Sequence, residues 1–137
     1  MNIKEICNSD EKVRICNEIL KTVPGCIEID PVKDMPFFTA CVDEKVIGFV
    51  AIKNNNEYTS KIYLIGTLDD FQNTYENLIK HCEEYCVQNN KEFLITEAVD
   101  NKNFVKFGFK PLTCKILIKH ISQDIHNYDV PDSYFNG

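Results

Sequence analysis

The chain predicts an α/β (α+β) domain: a mixed, mostly antiparallel sheet of about six strands with helices on both faces. Three observations carry that prediction. Two β-branched and aromatic runs, FFTACV (37–42) and KVIGFVAI (45–52), are separated only by Asp43-Glu44, which is the pattern of an antiparallel hairpin. Phe71, Tyr75, Leu78, Cys82, Tyr85 and Cys86 recur at three- and four-residue steps and mark one apolar face of a long helix. That helix falls between two strand-like runs, KIYLIG (61–66) and FLITEAV (93–99), so it reads as a crossover beside a parallel portion of sheet.

The remaining elements follow in order. Ile3 and Ile6 suggest a short first strand, and Asn8 with Glu11 forms a plausible capping box. Val13, Cys16, Ile19, Leu20 and Val23 then recur at helical spacing until Pro24-Gly25 stops the helix. Residues 24–35 hold Pro24, Gly25 and Pro31, with Pro36 next, and read as irregular chain. Asn89-Asn90 ends the long helix. Phe93 to Val99 is apolar enough for a central strand. A short helical piece over 100–107 closes at Gly108. The last strand alternates, with Leu112, Cys114, Ile116 and Ile118 on one side and Thr113, Lys115 and Lys119 on the other. Residues 1–121 therefore make a single domain, and 122–137, without periodicity, make a tail or a partner-docked arm.

Composition narrows the class of protein. The 137 residues are 44% apolar, 11% aromatic and 26% charged, which fits one globular domain with a real core. No stretch reaches the roughly 20 apolar residues that span a bilayer. The start, MNIKEICNSDEK, carries charges where a signal peptide needs its apolar segment. Seven cysteines, an odd set scattered through apolar patterns, read as reduced core thiols. These features point to a cytoplasmic protein. The net charge of −6 argues against nucleic acid or anionic membrane as partner. Charge is uneven, however. Asp69, Asp70 and Glu76 stand without a basic residue between Thr67 and Asn77, whereas 101–123 holds Lys102, Lys106, Lys110, Lys115 and Lys119 without an acid.

Metal and thiol chemistry find little support. Cys82 and Cys86 share a helix face at i, i+4, but it is the apolar face, and His81 points away from it. No second cluster completes a tetrahedral set, so no metal site is expected. The three histidines, His81, His120 and His126, give no spacing that would activate a cysteine nucleophile.

Three segments together resemble the GNAT acetyltransferase superfamily over about residues 2–121. KVIGFVAI is similar to the family's third strand, with Gly48 at its recurrent glycine. KIYLIGTLDDF followed by NLIKHCEEYC resembles the fourth strand entering the cofactor helix. FVKFGFKPL resembles the closing aromatic-x-x-aromatic-Gly-Phe signature, at Phe104, Phe107, Gly108 and Phe109. The resemblance implies acetyl-CoA as co-substrate, lying in a splay between the fourth and fifth strands. It implies pantetheine pairing with the backbone of Tyr63, Leu64, Ile65 and Gly66. The pyrophosphate would sit at the start of the following helix, near Asn73 and Thr74, where bare amides and the helix dipole favour anions. Asn101 would contact cofactor, and Lys102 and Lys106 would offer positive charge to its nucleotide end; the other reading of these lysines is a plain exposed basic face.

Two stretches depart from the family pattern. The phosphate loop here reads Asp69-Asp70-Phe71-Gln72-Asn73-Thr74-Tyr75, with neither glycine nor arginine. Its aspartates serve as helix caps, or else set negative charge where phosphates should bind. Phe104 stands where the family's thiolate-protonating tyrosine falls. Glu97, near the end of the presumed fifth strand, is the candidate general base; its alternative is an edge glutamate facing solvent. Two functions stay open: an N-acyltransferase acting by direct attack on an amine of a small molecule or peptide, and a GNAT-shaped binding or regulatory module without CoA. Strands that splay near Gly66 and Glu97 favour the first. The last strand's edge, or the tail, offers a surface for a homodimer.

Overall fold

The computed structural model describes residues 1–20, 28–68, 72–97, 107–112 and 116–121. In chain order the elements are β1 (Asn2–Glu5), α1 (Ser9–Ile19), a 3-10 helix (Asp30–Asp34), β2 (Phe37–Val42), β3 (Lys45–Asn54), β4 (Thr59–Thr67), α2 (Gln72–Gln88), β5 (Phe93–Glu97), β6 (Lys110–Pro111) and β7 (Ile116–His120). The strands form one sheet in the order β1-β2-β3-β4-β5-β7-β6. It has seven strands rather than about six. Strand β4 runs parallel to β5, while β1–β2, β2–β3, β5–β7 and β6–β7 are antiparallel. No helix among the described residues is long and apolar enough to cross a membrane.

Local chemistry accounts for most boundaries. Asn8 Oδ1 accepts a hydrogen bond from the Glu11 amide at 2.9 Å, which closes the N-terminal end of α1 as a capping side chain should. The β2–β3 turn holds Asp43 and Glu44 at φ 49° and 68°, the doubly left-handed geometry that matches the twist of a two-residue hairpin. Asn90 adopts φ 57°. The Lys91 amide then reaches Cys86 O at 2.8 Å and the Asn90 amide reaches Val87 O at 3.3 Å, so α2 ends in a Schellman motif.

The chain divides into two compact units, Met1–Lys53 with Tyr63–His81, and Asn54–Ile62 with Cys82–Gly137. In the first, neighbouring residues of one strand face different helices. Phe37, Phe49 and Ala51 pack with Ile15, Cys16, Ile19 and Val32, and the Phe37 and Phe49 rings stack at 5.3 Å. Phe38 instead meets His81 edge-on at 4.5 Å. Helix α1 thus covers one face and the start of α2 the other, as the alternation of β2 and β3 requires. Helix α1 buries Cys16 and Ile19 and packs Val13 and Leu20 against the same core, as the apolar spacing predicts, and adds Lys12 and Ile15, which that spacing did not mark. Lys12 takes a core position because its ammonium donates to Met35 O at 2.8 Å and Lys33 O at 3.2 Å. Its stem stays apolar while the charge finds partners. Val23 lies outside the described residues.

In the second unit, Leu94 is fully buried between β4 and β7, with Phe93, Leu117, Ile118 and Ile121 beside it in the core. The single strand expected over 112–119 is instead β6 and β7, linked by a hydrogen bond from the Leu112 amide to Ile116 O at 2.9 Å. Leu117 and Ile118 are both buried, so the expected one-sided alternation gives way to a strand covered on both faces. Strand β7 is also flanked on both sides, by β5 and β6. Among the described residues β6 covers that side of β7 only at Leu117 and Ile118. Lys119 pairs with the Glu83 carboxylate and donates to Phe107 O at 2.7 Å, tying β7 to α2 and to the turn at Gly108. The short helix expected at 100–107 and the tail from 122 fall almost wholly outside the described residues.

Cys16, Cys41, Cys82 and Cys86 are free and buried, as expected of core thiols, whereas Cys7, in the link between β1 and α1, is exposed rather than in the core; Cys26 and Cys114 lie outside the described residues. Burial pushes Cys16 from 9.0 up to about 12. Burial likewise pushes Cys86 up to about 11, against a hydrogen bond from Ser60 that pulls it down. Burial, reinforced by Cys86 and Glu83, holds Cys82 well above its ordinary value. Unfolding frees these thiols to ionise near 9.0, so the unfolded chain binds fewer protons between there and the folded values. Stability is therefore complete below about pH 9 and falls as pH rises towards 11, by about 1.4 kcal/mol per pH unit for each buried thiol. Urea unfolding between about pH 8 and pH 10 checks this, with Cys86→Ala giving a shallower decline than the parent chain.

Candidate functional site

The ladder between β4 and β5 determines where the site lies. Its rungs are Thr59↔Phe93, Ser60↔Leu94, Lys61↔Ile95 and Ile62↔Thr96, and it goes no further among the described residues. Strand β4 continues to Thr67 and β5 to Glu97. The residues chosen from sequence, Tyr63, Leu64, Ile65 and Gly66, all follow the last rung on β4. Glu97 follows it on β5.

Gly66 is needed on β4. A Cβ there would come within 2.8 Å of Phe49 Cε1 and 2.9 Å of Leu20 Cδ2. Gly48 has the same role towards α2: a Cβ would lie 2.7 Å from Thr74 Cγ2, 3.2 Å from Leu78 Cδ1 and 3.1 Å from Gly66 O. Gly48 thus lets the first turn of α2 pack closely on β3, while Gly66 makes room for Phe49 and the end of α1. Leu64 is a core side chain, only 5% exposed, so only its backbone is on offer. The Tyr63 hydroxyl donates to Glu28 O at 2.6 Å, which fastens the segment before the 3-10 helix to β4.

The opening turn of α2 carries no carboxylate among its described residues. Asn73 is exposed and Thr74 is fully buried. Thr74 Oγ1 has no hydrogen-bond partner, an expensive condition for a buried hydroxyl. Gly48 brings the Thr74 side chain and the Gly66 carbonyl together. A glycine-lined backbone cradle with an unsatisfied hydroxyl at a helix N-terminus suits an anionic, backbone-read ligand such as a pyrophosphate.

Glu97 is not a lone edge carboxylate. Its Oε1 accepts from Lys61 Nζ at 2.8 Å, with the lysine side chain 22% exposed and the glutamate 54%. Sequence reading missed Lys61; the available signal was its place two residues before Tyr63 on a period-two strand, which brings it diagonally opposite Glu97. Asn101, Lys102 and Lys106 lie outside the described residues, as do Asp69, Asp70, Phe71 and Phe104. His81 packs on Phe38, and no group of three His, Cys, Asp or Glu among the described residues could hold a metal ion.

No family model and no curated protein matches the chain by sequence. Solved structures do match it. An N-acetyltransferase from Staphylococcus aureus Mu50 superposes with a TM-score of 0.70 at 18% identity, covering 88% of this chain and 97% of that one. The IAA acetyltransferase from Bacillus cereus ATCC 14579 gives 0.72 at 15%, over 87% and 98%. Rv2747 from Mycobacterium tuberculosis, in complex with CoA and NLQ, gives 0.65 at 12%, over 83% and 77%. The chain has the fold of the GNAT N-acetyltransferases.

The orphaned hydroxyl gives a direct test. Thr74→Val replaces an unpartnered buried oxygen by a methyl of nearly the same shape, so it should raise the unfolding free energy in ligand-free buffer by about 1 kcal/mol. Urea titration of the two chains measures the difference.

Proposed function

We propose that this chain is an N-acyltransferase that moves an acetyl group from acetyl-CoA to an amine of a small molecule or peptide by direct attack. The observation that carries the reading is the start of α2, where the buried Thr74 hydroxyl has no hydrogen-bond partner and Gly48 admits both the Thr74 side chain and the Gly66 carbonyl at close range. It is supported by the shared fold and by a neighbour solved with CoA.

Each residue then has a role set by its chemistry. The backbone of Tyr63, Leu64, Ile65 and Gly66 would pair with the pantetheine arm. Amides at the start of α2, near Asn73, and the Thr74 hydroxyl would take the pyrophosphate. Asn101, Lys102 and Lys106 would attend the nucleotide end. Acetyl-CoA supplies an activated acyl carbon. Glu97, or a water it holds, removes a proton from the acceptor ammonium, and the freed nitrogen lone pair attacks that carbon. A C–N bond forms and the C–S bond breaks; the nitrogen sheds its second proton as it becomes an amide, and that proton reaches the leaving thiolate through water, since Phe104 has none to give. One domain over 1–121 would carry all of this in the cytoplasm.

Isothermal titration with acetyl-CoA tests the reading directly. Binding at micromolar to submillimolar cofactor is expected, weakened roughly tenfold in Thr74→Val. No heat at millimolar cofactor would leave a GNAT-shaped binding module instead. With an accepted amine in hand, Glu97→Gln should lower kcat by about a hundredfold, in line with loss of a general base, while acetyl-CoA still binds.

A further inference from the structure

We propose that Lys61 and Glu97 act together as an acceptor-recognition pair, selecting amines that carry a carboxylate close to the reacting nitrogen, as in an α-amino acid. The inference rests on the acyl-transfer reading and adds a substrate class to it. Lys61 belongs to the next-to-last rung of the β4–β5 ladder, opposite Ile95. Glu97 lies two residues beyond Ile95, so its side chain leaves the same face of the sheet as that of Lys61. The two meet at 2.8 Å.

Their exposures differ in a useful way. The lysine side chain is mostly covered, at 22%, and the carboxylate is more open, at 54%. The protein thus presents a fixed positive charge directly beside an accessible negative one. Ion pairs this exposed contribute little to stability, so opening the pair to a ligand costs little. A zwitterionic acceptor laid against it head to tail sets its ammonium on Glu97 and its carboxylate on Lys61. One internal ion pair is exchanged for two with the ligand, and both partners keep a counter-charge throughout. A polyamine meets Glu97 favourably but brings its further charge against Lys61, with nothing to offset the repulsion. An amino-acid amide fills one half of the pair only.

The proton balance favours the same acceptor. The ammonium seated on Glu97 loses its proton to that carboxylate. The neutral nitrogen then forms the C–N bond as the C–S bond breaks, and its second proton passes through water to the leaving thiolate. Lys61 holds the acceptor's carboxylate meanwhile and exchanges no proton.

The test is thiol release from acetyl-CoA with a panel of α-amino acids, their carboxamides and spermidine as acceptors. The wild-type chain should favour amino acids over the matching carboxamides by about tenfold or more in kcat/KM, the worth of one charged hydrogen bond. Lys61→Met should collapse that preference to within about twofold, through acceptor KM rather than kcat, and Lys61→Arg should keep most of it. Equal use of amino acids and carboxamides by the wild type, or full discrimination in Lys61→Met, overturns the inference while acyl transfer stands. If acetyl-CoA neither binds nor turns over with any acceptor, the acyl-transfer reading falls and this one with it.

Discussion

The close approach of α2 to β3 at Gly48 is the constraint on which the candidate cofactor cradle depends. A Cβ at that position would meet Thr74 Cγ2 at 2.7 Å and Gly66 O at 3.1 Å, separations that real side chains do not tolerate. Glycine therefore permits the first turn of α2 to rest on backbone rather than on a layer of side chains. That in turn buries Thr74 completely and strands its hydroxyl without a partner. This polar cost falls in the first turn of α2, where the helix dipole favours negative charge. Tight packing and an unsatisfied group at one place are what a binding cradle needs and what a purely structural core avoids.

Elsewhere the fold handles buried charge by the opposite policy, complete satisfaction. Lys12 sits 6% exposed in the core of α1, yet its ammonium has two carbonyl partners at the close of the 3-10 helix. Lys119 couples a carboxylate to the Phe107 carbonyl. Lys91 holds Asn56 O at 2.6 Å and Glu57 O at 3.2 Å across a turn. Each lysine lends an apolar stem to packing while its head fixes a stretch of chain that has no ladder of its own. Lys61 shares the architecture but not the outcome: its partner is a carboxylate left half in solvent.

How much of this was legible depended on whether a residue acts locally. The hairpin around Asp43-Glu44, the Asn8 cap and the Asn89-Asn90 stop are short-range effects, and each is found where the pattern put it. Gly48 and Gly66 were visible as glycines inside apolar strands, which already signals close approach. Lys12 was invisible, because no periodicity marks a lysine as core; its carbonyl partners lie 21 and 23 residues away. The division of the last strand into β6 and β7 was equally hidden, since Leu117 is buried out of phase with Leu112 and Ile116. Glu97 could be picked out at a strand end, but its pairing with Lys61, 36 residues away, requires the parallel register of β4 and β5.

The same physics explains how the fold persists with so little shared sequence. A site of the kind proposed would be read largely through backbone: amides on β4 and the start of α2, which Gly48 lets pack closely on β3. Backbone geometry survives when strand order and glycine positions survive, whatever the surrounding side chains become. Identities of 15% and 18% at TM-scores of 0.72 and 0.70 are what such a design allows. Side chains then carry what backbone cannot, namely the choice of acceptor. That places the informative sequence variation at positions such as Lys61 and Glu97, beside the end of the ladder, rather than along the cradle itself.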